Sequence, residues 1–253
     1  MTAAPDLLCE KRDGVATLTL NRPERKNAMT PQMLCLLAEA WQDLERDDEV
    51  RAVILTAQGE SAFCPGGDME AMVPVITGSR EPADEWERRY RADQTEISRI
   101  AFLNPYPFDK PIVAAINGDA VSGGCEILHA TDIRIASREA RFGLREIERG
   151  LIPAGGSLAK LHRQVPYCRA IEMVLLCERI PAEEARAIGL INEVVAPEEV
   201  LPRARAIAQR LASFDPAAVQ TAKRTLRQSW GLPEEEACRI QQQSYDDFMA
   251  ARA

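Results

Sequence analysis

The sequence has very little histidine and a deficit of positive charge. Its 253 residues include only two histidines, His129 and His162, and 31 lysines and arginines stand against 39 aspartates and glutamates. Two histidines leave almost no room for a multi-histidine metal site, so we expect no bound metal. The formal charge of −8 argues against binding to nucleic acid or to an anionic membrane, because both require a basic face. Carboxylates become the leading candidates for acid–base chemistry.

Other signatures are missing as well. The seven cysteines form no C-x-x-C pair, which favours reduced thiols over disulfides. Residues 1–9 lack the apolar stretch of a secretory signal, and no segment approaches the roughly 18 apolar residues of a membrane span. The glycine-rich turns match neither the dinucleotide-binding spacing nor the P-loop. We therefore expect a cytoplasmic protein without a dinucleotide cofactor.

The hydrophobic pattern predicts a sheet layered with helices. Residues 7–20 predict a hairpin around Asp13-Gly14, and Thr30 and Pro31 predict the start of an amphipathic helix that runs to about Asp47. Short apolar runs are typical of strands buried on both faces, and they occur at 52–57, 112–116 and 133–136.

Two longer stretches differ from this pattern. Residues 69–109 lose clear periodicity and gain charge, which fits either a substrate-facing flap with irregular helices or a solvated connection. From about residue 157 onward the pattern is nearly all helical. We therefore expect a C-terminal helical subdomain.

Three glycine pairs mark the places where chemistry is expected. Each stands beside a predicted helix start, where glycine lets a ligand approach the main chain and the first N–H groups have no helical partner. Such a turn can hold an anion or an oxyanion, or it can be a tight connection without a ligand. The pairs lie in Pro65–Asp68, Ser122–Glu126 and Ala154–Ser157.

Two glutamates follow the second glycine pair. Glu126 lies in the first turn of a helix predicted over 124–131, and a strand with a short return could bring Glu146 back beside it. Two carboxylates in a partly dry pocket raise each other's pKa, so that one accepts a proton while the other donates one. The alternative is that Glu126 only interacts favourably with the helix dipole.

A competing hypothesis is a serine hydrolase. Residues 120–124 loosely resemble the G-x-S-x-G elbow, in which Ser122 would be the nucleophile. Such an enzyme needs a histidine within reach of the hydroxyl. His129 lies further along the same predicted helix and His162 has no identifiable orienting acid, so this alternative is the weaker one.

Several motifs together resemble the enoyl-CoA hydratase/isomerase superfamily, the crotonases, over essentially the whole chain. They are Asn21-Arg22-Pro23, Phe63 to Met69, Lys110 to Gly118, Phe142 to Ile147, Gly150 to Pro153 and Ala182 to Ala185. The resemblance implies an α/β fold, a crotonase-like spiral of β-β-α units with a C-terminal helical subdomain. It also implies a core at 1–196 with the acyl-CoA site and a helical oligomerisation region at 197–253, which assembles homotrimers, commonly paired into hexamers.

By this resemblance the chain is a hydratase that adds water across the C2=C3 bond of a 2-enoyl-CoA thioester, giving a 3-hydroxyacyl-CoA in fatty-acid or related breakdown. The N–H groups of Gly67 and Gly123 would form the oxyanion hole for the thioester carbonyl. Glu126 would activate the water and Glu146 would protonate C2, while the N–H of Ala154 helps to position the water. The alternative within the family is a 3-enoyl-CoA isomerase, in which Glu146 alone moves the proton.

Coenzyme A enters as part of the substrate, and no separate cofactor is expected. Arg25 and Lys26 would supply local positive charge, although they equally fit a solvated loop. Asp68 is expected to cap the helix after it, and Arg145 is expected to lower the pKa of Glu146 if it points inward. The residues that the resemblance implies for binding the acyl-CoA are Arg25, Lys26, Ala28, Pro65, Gly67, Asp68, Met69, Glu70, Gly123 and Ala154.

Overall fold

The computed structural model describes residues 4–252, so residues 1–3 and 253 of the predicted regions lie outside the described residues. Its strands are β1 (Leu7–Arg12), β2 (Val15–Leu20), β3 (Ala52–Ala57), β4 (Ala62–Cys64), β5 (Ile112–Ile116), β6 (Asp119–Val121), β7 (Ile133–Ser137), β8 (Arg141–Gly143), β9 (Ile180–Pro181) and β10 (Glu193–Val195). Its helices are α1 (Pro31–Arg46), α2 (Met69–Thr77), α3 (Glu85–Ala92), α4 (Gln94–Ala101), α5 (Gly123–Glu126), α6 (Ser157–Gln164), α7 (Tyr167–Leu175), α8 (Ala182–Ala187), α9 (Val200–Ala212), α10 (Pro216–Ser229) and α11 (Glu234–Ala250).

Two sheets divide the strands between them. The large sheet has six strands in the order β1-β2-β3-β5-β7-β10, and all of its neighbours are parallel except the β1–β2 hairpin. The small sheet has the order β4-β6-β8-β9, with β4, β6 and β8 parallel. The successive pairs β3–β4, β5–β6 and β7–β8 each place their first strand in the large sheet and their second in the small one. This alternation is the expected succession of β-β-α units.

The central strands β3 and β5 of the large sheet are buried on both faces, as their apolar runs predict. Val53 and Leu55 face the core that contains α1, whereas Ala52 and Ile54 face α9. The side chains of α9 that complete this second layer are small, which lets the helix pack closely on the sheet. Residues 200–212 therefore cover the sheet, and the division of the chain at residue 196 stays a prediction.

The predicted hairpin and first helix are both confirmed. Leu7 pairs with Leu20 at the open end of the hairpin, and the Thr30 side chain accepts a hydrogen bond from Met33 N–H at the start of α1. The indole N–H of Trp41 on α1 donates to the carbonyl of Ala101 over 3.1 Å. This bond joins α1 to the segment 69–109.

That segment forms α2, α3 and α4, and it is not a solvated connection. Tyr90, Ile97 and Ile100 are buried in the core that contains α1. The helical alternative predicted for residues 69–109 is therefore correct. The solvated alternative is wrong because these residues are buried. The sequence did not show this, because the apolar residues of the segment are too widely spaced to reveal their packing against a distant helix.

The helix predicted over 124–131 is shorter than expected. Only Gly123–Glu126 is α-helical, and a tighter 3-10 helix follows at Ile127–Ala130. The hydroxyl of Thr131 donates to the carbonyl of Leu128 over 2.7 Å, which ends the segment before β7. Among residues 4–252, none of the helices has the length and apolar character needed to cross a membrane.

A close backbone contact joins the start of α5 to the end of β4. A Cβ atom on Gly124 would lie 2.1 Å from the carbonyl oxygen of Cys64, which is far below van der Waals distance. Only glycine therefore allows α5 to approach the end of β4 this closely.

We predict that Gly124→Ala lowers the free energy of unfolding by about 3 kcal/mol, because the added methyl group must push two backbones apart. Urea denaturation followed by circular dichroism measures the change. Gly150→Ala is the matched control, since Gly150 has a positive φ of 69° but no atom within 4 Å of an added Cβ. It should cost about 1 kcal/mol from backbone strain alone. An equal loss in both variants would contradict the steric explanation.

Candidate active site

The candidate site lies where three parallel strands of the small sheet end. The strands β4, β6 and β8 end at Cys64, Val121 and Gly143. Because parallel strands have their carboxyl ends at one edge of the sheet, the three loops that follow meet there. These loops carry the first two glycine pairs and Glu146.

The first two glycine turns lie directly against each other. A Cβ atom on Gly66 would be 3.1 Å from the backbone nitrogen of Gly123. Met29 steadies the first turn, because its N–H donates to Gly66 O over 2.9 Å and its carbonyl accepts from Asp68 N–H over 2.8 Å. Neither Gly67 N–H nor Gly123 N–H has a hydrogen-bond acceptor among residues 4–252. Both donors are available to a carbonyl oxygen that gains negative charge.

Glu126 is held by the third glycine turn. Its side chain projects from α5, the residue is 4% exposed, and its Oε1 atom accepts from the N–H groups of Gly155 and Ser157 over 2.8 and 3.2 Å. Burial raises the pKa of Glu126, and these two N–H groups offset part of that rise. The turn Ala154–Ser157 therefore binds a carboxylate of the protein itself.

Glu146 faces the same space from the loop after β8. It is half-buried, and its Oε2 atom is buried without a hydrogen-bond partner in the part of the chain that the structure describes. Burial raises the pKa of Glu146, and the negative charge of Glu126 raises it further. Two carboxylates with raised pKa values repel each other when both are ionised, so the pair readily shares one proton. The pair can act as an acid and a base.

The neighbouring Arg145 points away from this pair. Its guanidinium donates to Glu148, with Nη2 and Oε2 2.6 Å apart, and its side chain is 41% exposed. The guanidinium does not point inward, so the condition under which its charge would lower the pKa of Glu146 is not met. The spacing of three residues between Arg145 and Glu148 is a signal that could have predicted this surface pair.

Ser122 has the strained backbone of a nucleophile elbow but no histidine partner among the described residues. Its φ is 50°, in the left-handed region that non-glycine residues avoid. Its hydroxyl accepts from Arg145 N–H over 3.4 Å, whereas His129 Nε2 lies 3.1 Å from the hydroxyl of Ser157. No histidine within residues 4–252 hydrogen-bonds Ser122. The geometry does not support the serine hydrolase.

The two predicted CoA-binding segments lie side by side. Met29 forms a parallel bridge with Gly67, so the loop that contains Lys26 and Ala28 runs along the first glycine turn. Lys26 and Arg25 are exposed, with Lys26 in a left-handed conformation at φ 54°. A short basic loop therefore borders the turn.

The charge of this basic loop is partly neutralised. Arg25 Nη2 donates to Glu70 over 2.8 Å and lies 3.4 Å from Asp68. Asp68 accepts from the N–H groups of Glu70 and Ala71, so it caps α2 as predicted. Pro65 and Met69 flank the same turn. Of the two predicted cations, Arg25 forms ion pairs, whereas Lys26 forms none with the described residues.

Phe102 is a site residue that the sequence did not reveal. Its ring lies 3.5 Å from the position of a Cβ atom on Gly123 and 2.9 Å from that of a Cβ atom on Gly155. The ring therefore spans the gap between the second and third glycine turns, beside Glu126. No local pattern marks Phe102, because it follows α4 and reaches the site only through the packing of that helix on α1.

A cavity of about 1070 Å³ lies on the far side of the third turn. Asn104 packs against Gly156 between the cavity and the site, and the cavity is lined by His129, Lys160 and Trp230 among others. Neither glutamate lines it. The space between the glutamates and the first two glycine turns is the one with groups suited to proton transfer.

The chain is similar to known proteins over almost its whole length. The model of the enoyl-CoA hydratase/isomerase family matches residues 10–253. Enoyl-CoA hydratase EchA19 of Mycobacterium tuberculosis is 36% identical over 242 residues, which cover 95% of this chain and 87% of that protein. (E)-benzylidenesuccinyl-CoA hydratase of Thauera aromatica is 38% identical over 214 residues, covering 85% and 79%.

Solved structures agree with these relatives. The crystal structure of an enoyl-CoA hydratase from Bacillus anthracis has a TM-score of 0.83 and 29% identity, and the match covers 95% of this chain and 90% of that one. The predicted crotonase-like fold is therefore confirmed.

We predict that Glu146→Gln makes the protein more stable at about pH 8 and has little effect at about pH 4. A raised folded-state pKa means that the folded protein keeps a proton that the unfolded chain has lost. The free energy of unfolding therefore falls as pH rises from about 4.3, the ordinary value, through the folded-state pKa. Glutamine cannot ionise, so the variant escapes this loss.

Urea denaturation at the two pH values measures this difference. Glu148→Gln is the control, because Glu148 is 42% exposed in its surface ion pair and such pairs contribute little. A Glu146→Gln variant that is less stable than the wild type at about pH 8 would contradict the prediction.

Proposed function

This chain belongs to the enoyl-CoA hydratase/isomerase family, and from that premise we propose that it is a hydratase adding water across the C2=C3 bond of a 2-enoyl-CoA thioester. The observation that carries the proposal is the pair of glutamates with raised pKa values beside two unpartnered N–H groups. The product is a 3-hydroxyacyl-CoA.

The thioester carbonyl is bound by the N–H groups of Gly67 and Gly123. As water adds to C3, electron density moves to the carbonyl oxygen, and two fixed donors stabilise that charge without reorganising. Loss of one such donor costs about 2.7–4 kcal/mol in acyl-transfer enzymes. The contact between the first two glycine turns, in which a Cβ atom on Gly66 would lie 3.1 Å from the nitrogen of Gly123, supports this role.

The two glutamates divide the proton transfers. Glu126, whose Oε1 accepts two N–H bonds, is the carboxylate that takes a proton from the attacking water. Glu146, whose Oε2 atom has no hydrogen-bond partner among the described residues, is the acid that gives its proton to C2. One O–C3 bond and one C2–H bond form, and the pair passes the proton back before the next turnover. Ala154 N–H, next to Glu126, is proposed to help hold the water.

We predict that Glu126→Gln and Glu146→Gln each lower kcat by about 100-fold or more, because each removes a group that transfers a proton in the transition state. The loss of absorbance of the conjugated thioester of crotonyl-CoA measures hydration. Circular dichroism verifies that both variants are folded.

The same variants separate the alternatives. A 3-enoyl-CoA isomerase would lose activity with Glu146→Gln, keep it with Glu126→Gln, and convert 3-enoyl-CoA without consuming water. A serine hydrolase would release free CoA and react with a fluorophosphonate at Ser122. Failure to hydrate 2-enoyl-CoA thioesters of several chain lengths would overturn the hydratase.

The CoA part of the substrate is proposed to lie along the loop of Arg25, Lys26 and Ala28 and the turn from Pro65 to Glu70. Lys26 is exposed beside the turn and has no ion-pair partner among the described residues, which supports a contact with a phosphate. This local charge suits a substrate with phosphates on a chain whose formal charge is −8.

We predict that Lys26→Gln raises KM for the acyl-CoA about tenfold with little change in kcat, since it removes one charged contact away from the reacting atoms. The increase should shrink at high salt. Arg12→Gln is the control for net charge, because Arg12 lies in the hairpin with its side chain 90% exposed. Equal KM values for wild type and Lys26→Gln would contradict the contact.

The proposed assembly is a homotrimer or a dimer of trimers. Large apolar side chains on the helical second half support it, since Leu175, Leu176, Leu226, Trp230 and Tyr245 are 41% to 74% exposed. Exposed apolar patches of this kind are typical of contact surfaces. The cytoplasmic location and the place in fatty-acid breakdown stay predictions.

A further inference from the structure

A buried chain of contacts leads away from Glu126 on the side opposite to Glu146. Ser157 is 1% exposed and lies between Glu126 and His129, which is 4% exposed. The N–H of Ser157 donates to Glu126 Oε1 over 3.2 Å, and its hydroxyl lies 3.1 Å from His129 Nε2. The carboxylate of Glu126 is at one end of this chain and the imidazole of His129 is at the other.

The hydrogen bonds assign the protons along this chain. His129 Nδ1 is buried without a partner in the part of the chain that the structure describes. A buried N–H without an acceptor is rarer than a buried lone pair without a donor, so the ring hydrogen belongs on Nε2. Ser157 Oγ then accepts from His129, which leaves its own hydrogen available to Glu126, the carboxylate that the N–H of Ser157 already contacts. The hydroxyl contact lowers the pKa of Glu126 against the larger effect of burial.

We propose that Ser157 and His129 are positioning residues, in which the imidazole fixes the serine hydroxyl so that it holds Glu126 ionised and correctly oriented as the base. The inference rests on the proposed function, in which Glu126 takes the proton from water. It assigns the two residues no contact with the substrate.

The imidazole is suited to this task because it stays neutral. Burial, together with the positive charges of Arg134 and Lys160, lowers the pKa of His129 to about 3 against the smaller opposing effect of Gln164. The ring therefore does not titrate in the range in which Glu126 changes its charge. It presents one constant donor to Ser157 at every working pH.

Other titratable groups also face Glu126. Glu146 lies across the site, and its charge and that of Glu126 repel each other. Lys160 on α6 attracts Glu126, although burial lowers its own pKa to about 8, and its Nζ donates to Leu103 O over 2.9 Å. The buried thiols of Cys64 and Cys125 have pKa values of about 12 and stay neutral. Arg134 acts from beyond His129. The serine–histidine pair adds a neutral side-chain donor to the backbone N–H groups that already contact Glu126.

The test is the titration of Glu126 in the resting enzyme. Protein labelled with ¹³C at glutamate carboxyl carbons gives one signal that Glu126→Gln removes, and its pH dependence reports the ionisation of Glu126 without any turnover. Ser157→Ala should move the midpoint up by about one pH unit, because a hydrogen bond to the charged form is lost. His129→Leu should move it up by less, because the hydroxyl remains but is no longer fixed.

The double variant and the conservative variants make the test specific. Ser157→Ala combined with His129→Leu should shift the midpoint no further than Ser157→Ala alone, since His129 acts only through the serine. His129→Gln, which can present a donor near the position of Nε2, and Ser157→Thr should restore a midpoint near that of the wild type. Ser137→Ala is the matched control, because Ser137 is 0% exposed and lies at the end of β7.

The acid limb of the kcat/KM profile for hydration should move with the carboxyl titration. An unchanged Glu126 midpoint in Ser157→Ala, a further shift in the double variant, or an equal shift in Ser137→Ala would each overturn the inference. A shifted midpoint in an enzyme that does not hydrate 2-enoyl-CoA would contradict only the proposed function. A fall in kcat that is equal at every pH, with no shift of the limb, would indicate a merely structural role.

Discussion

The arrangement of the site depends on the contact between the glycine turns that end β4 and β6. Gly124 lies against the carbonyl of Cys64, and Gly66 lies against the Cβ atom of Ser122 and the backbone nitrogen of Gly123. No side chain larger than hydrogen fits at these points. Because the two turns meet without side chains between them, two main-chain N–H groups come to lie together. The same contact fixes the start of α5 and hence the direction of Glu126.

The second constraint is electrostatic. A buried carboxylate is costly, and a second one nearby increases the cost. The protein stabilises the two carboxylates unequally. Glu126 receives N–H donors from the third glycine turn, whereas Glu146 Oε2 has no partner among the described residues. In the proposed reaction, this inequality is the reason why one of two chemically identical side chains serves as the base and the other as the acid. The basic residues nearby do not remove it, because Arg145 pairs with Glu148 and Lys160 is itself poorly solvated.

The acidic composition is consistent with this chemistry. With only two histidines and a surplus of carboxylates, the chain has few side chains other than carboxylates for acid–base chemistry. In the structure one histidine is buried and neutral, and the proposed reaction leaves proton transfer to the two glutamates. Positive charge for the proposed CoA contact comes from the loop before α1, where Lys26 has no carboxylate partner among the described residues.

The sequence by itself determined the elements whose causes are local. The hairpin, α1 and the buried strands follow from turn residues, a cap and runs of apolar residues, and the two glutamates follow from their spacing after a glycine pair. The tertiary structure decided what holds those glutamates. Gly155 bonds Glu126 across 29 residues, and Phe102 reaches the site through the packing of α4. Such contacts depend on which parallel strands end at a common edge, and no local pattern encodes that. Even the short length of α5 was decided by the turn of the chain into β7.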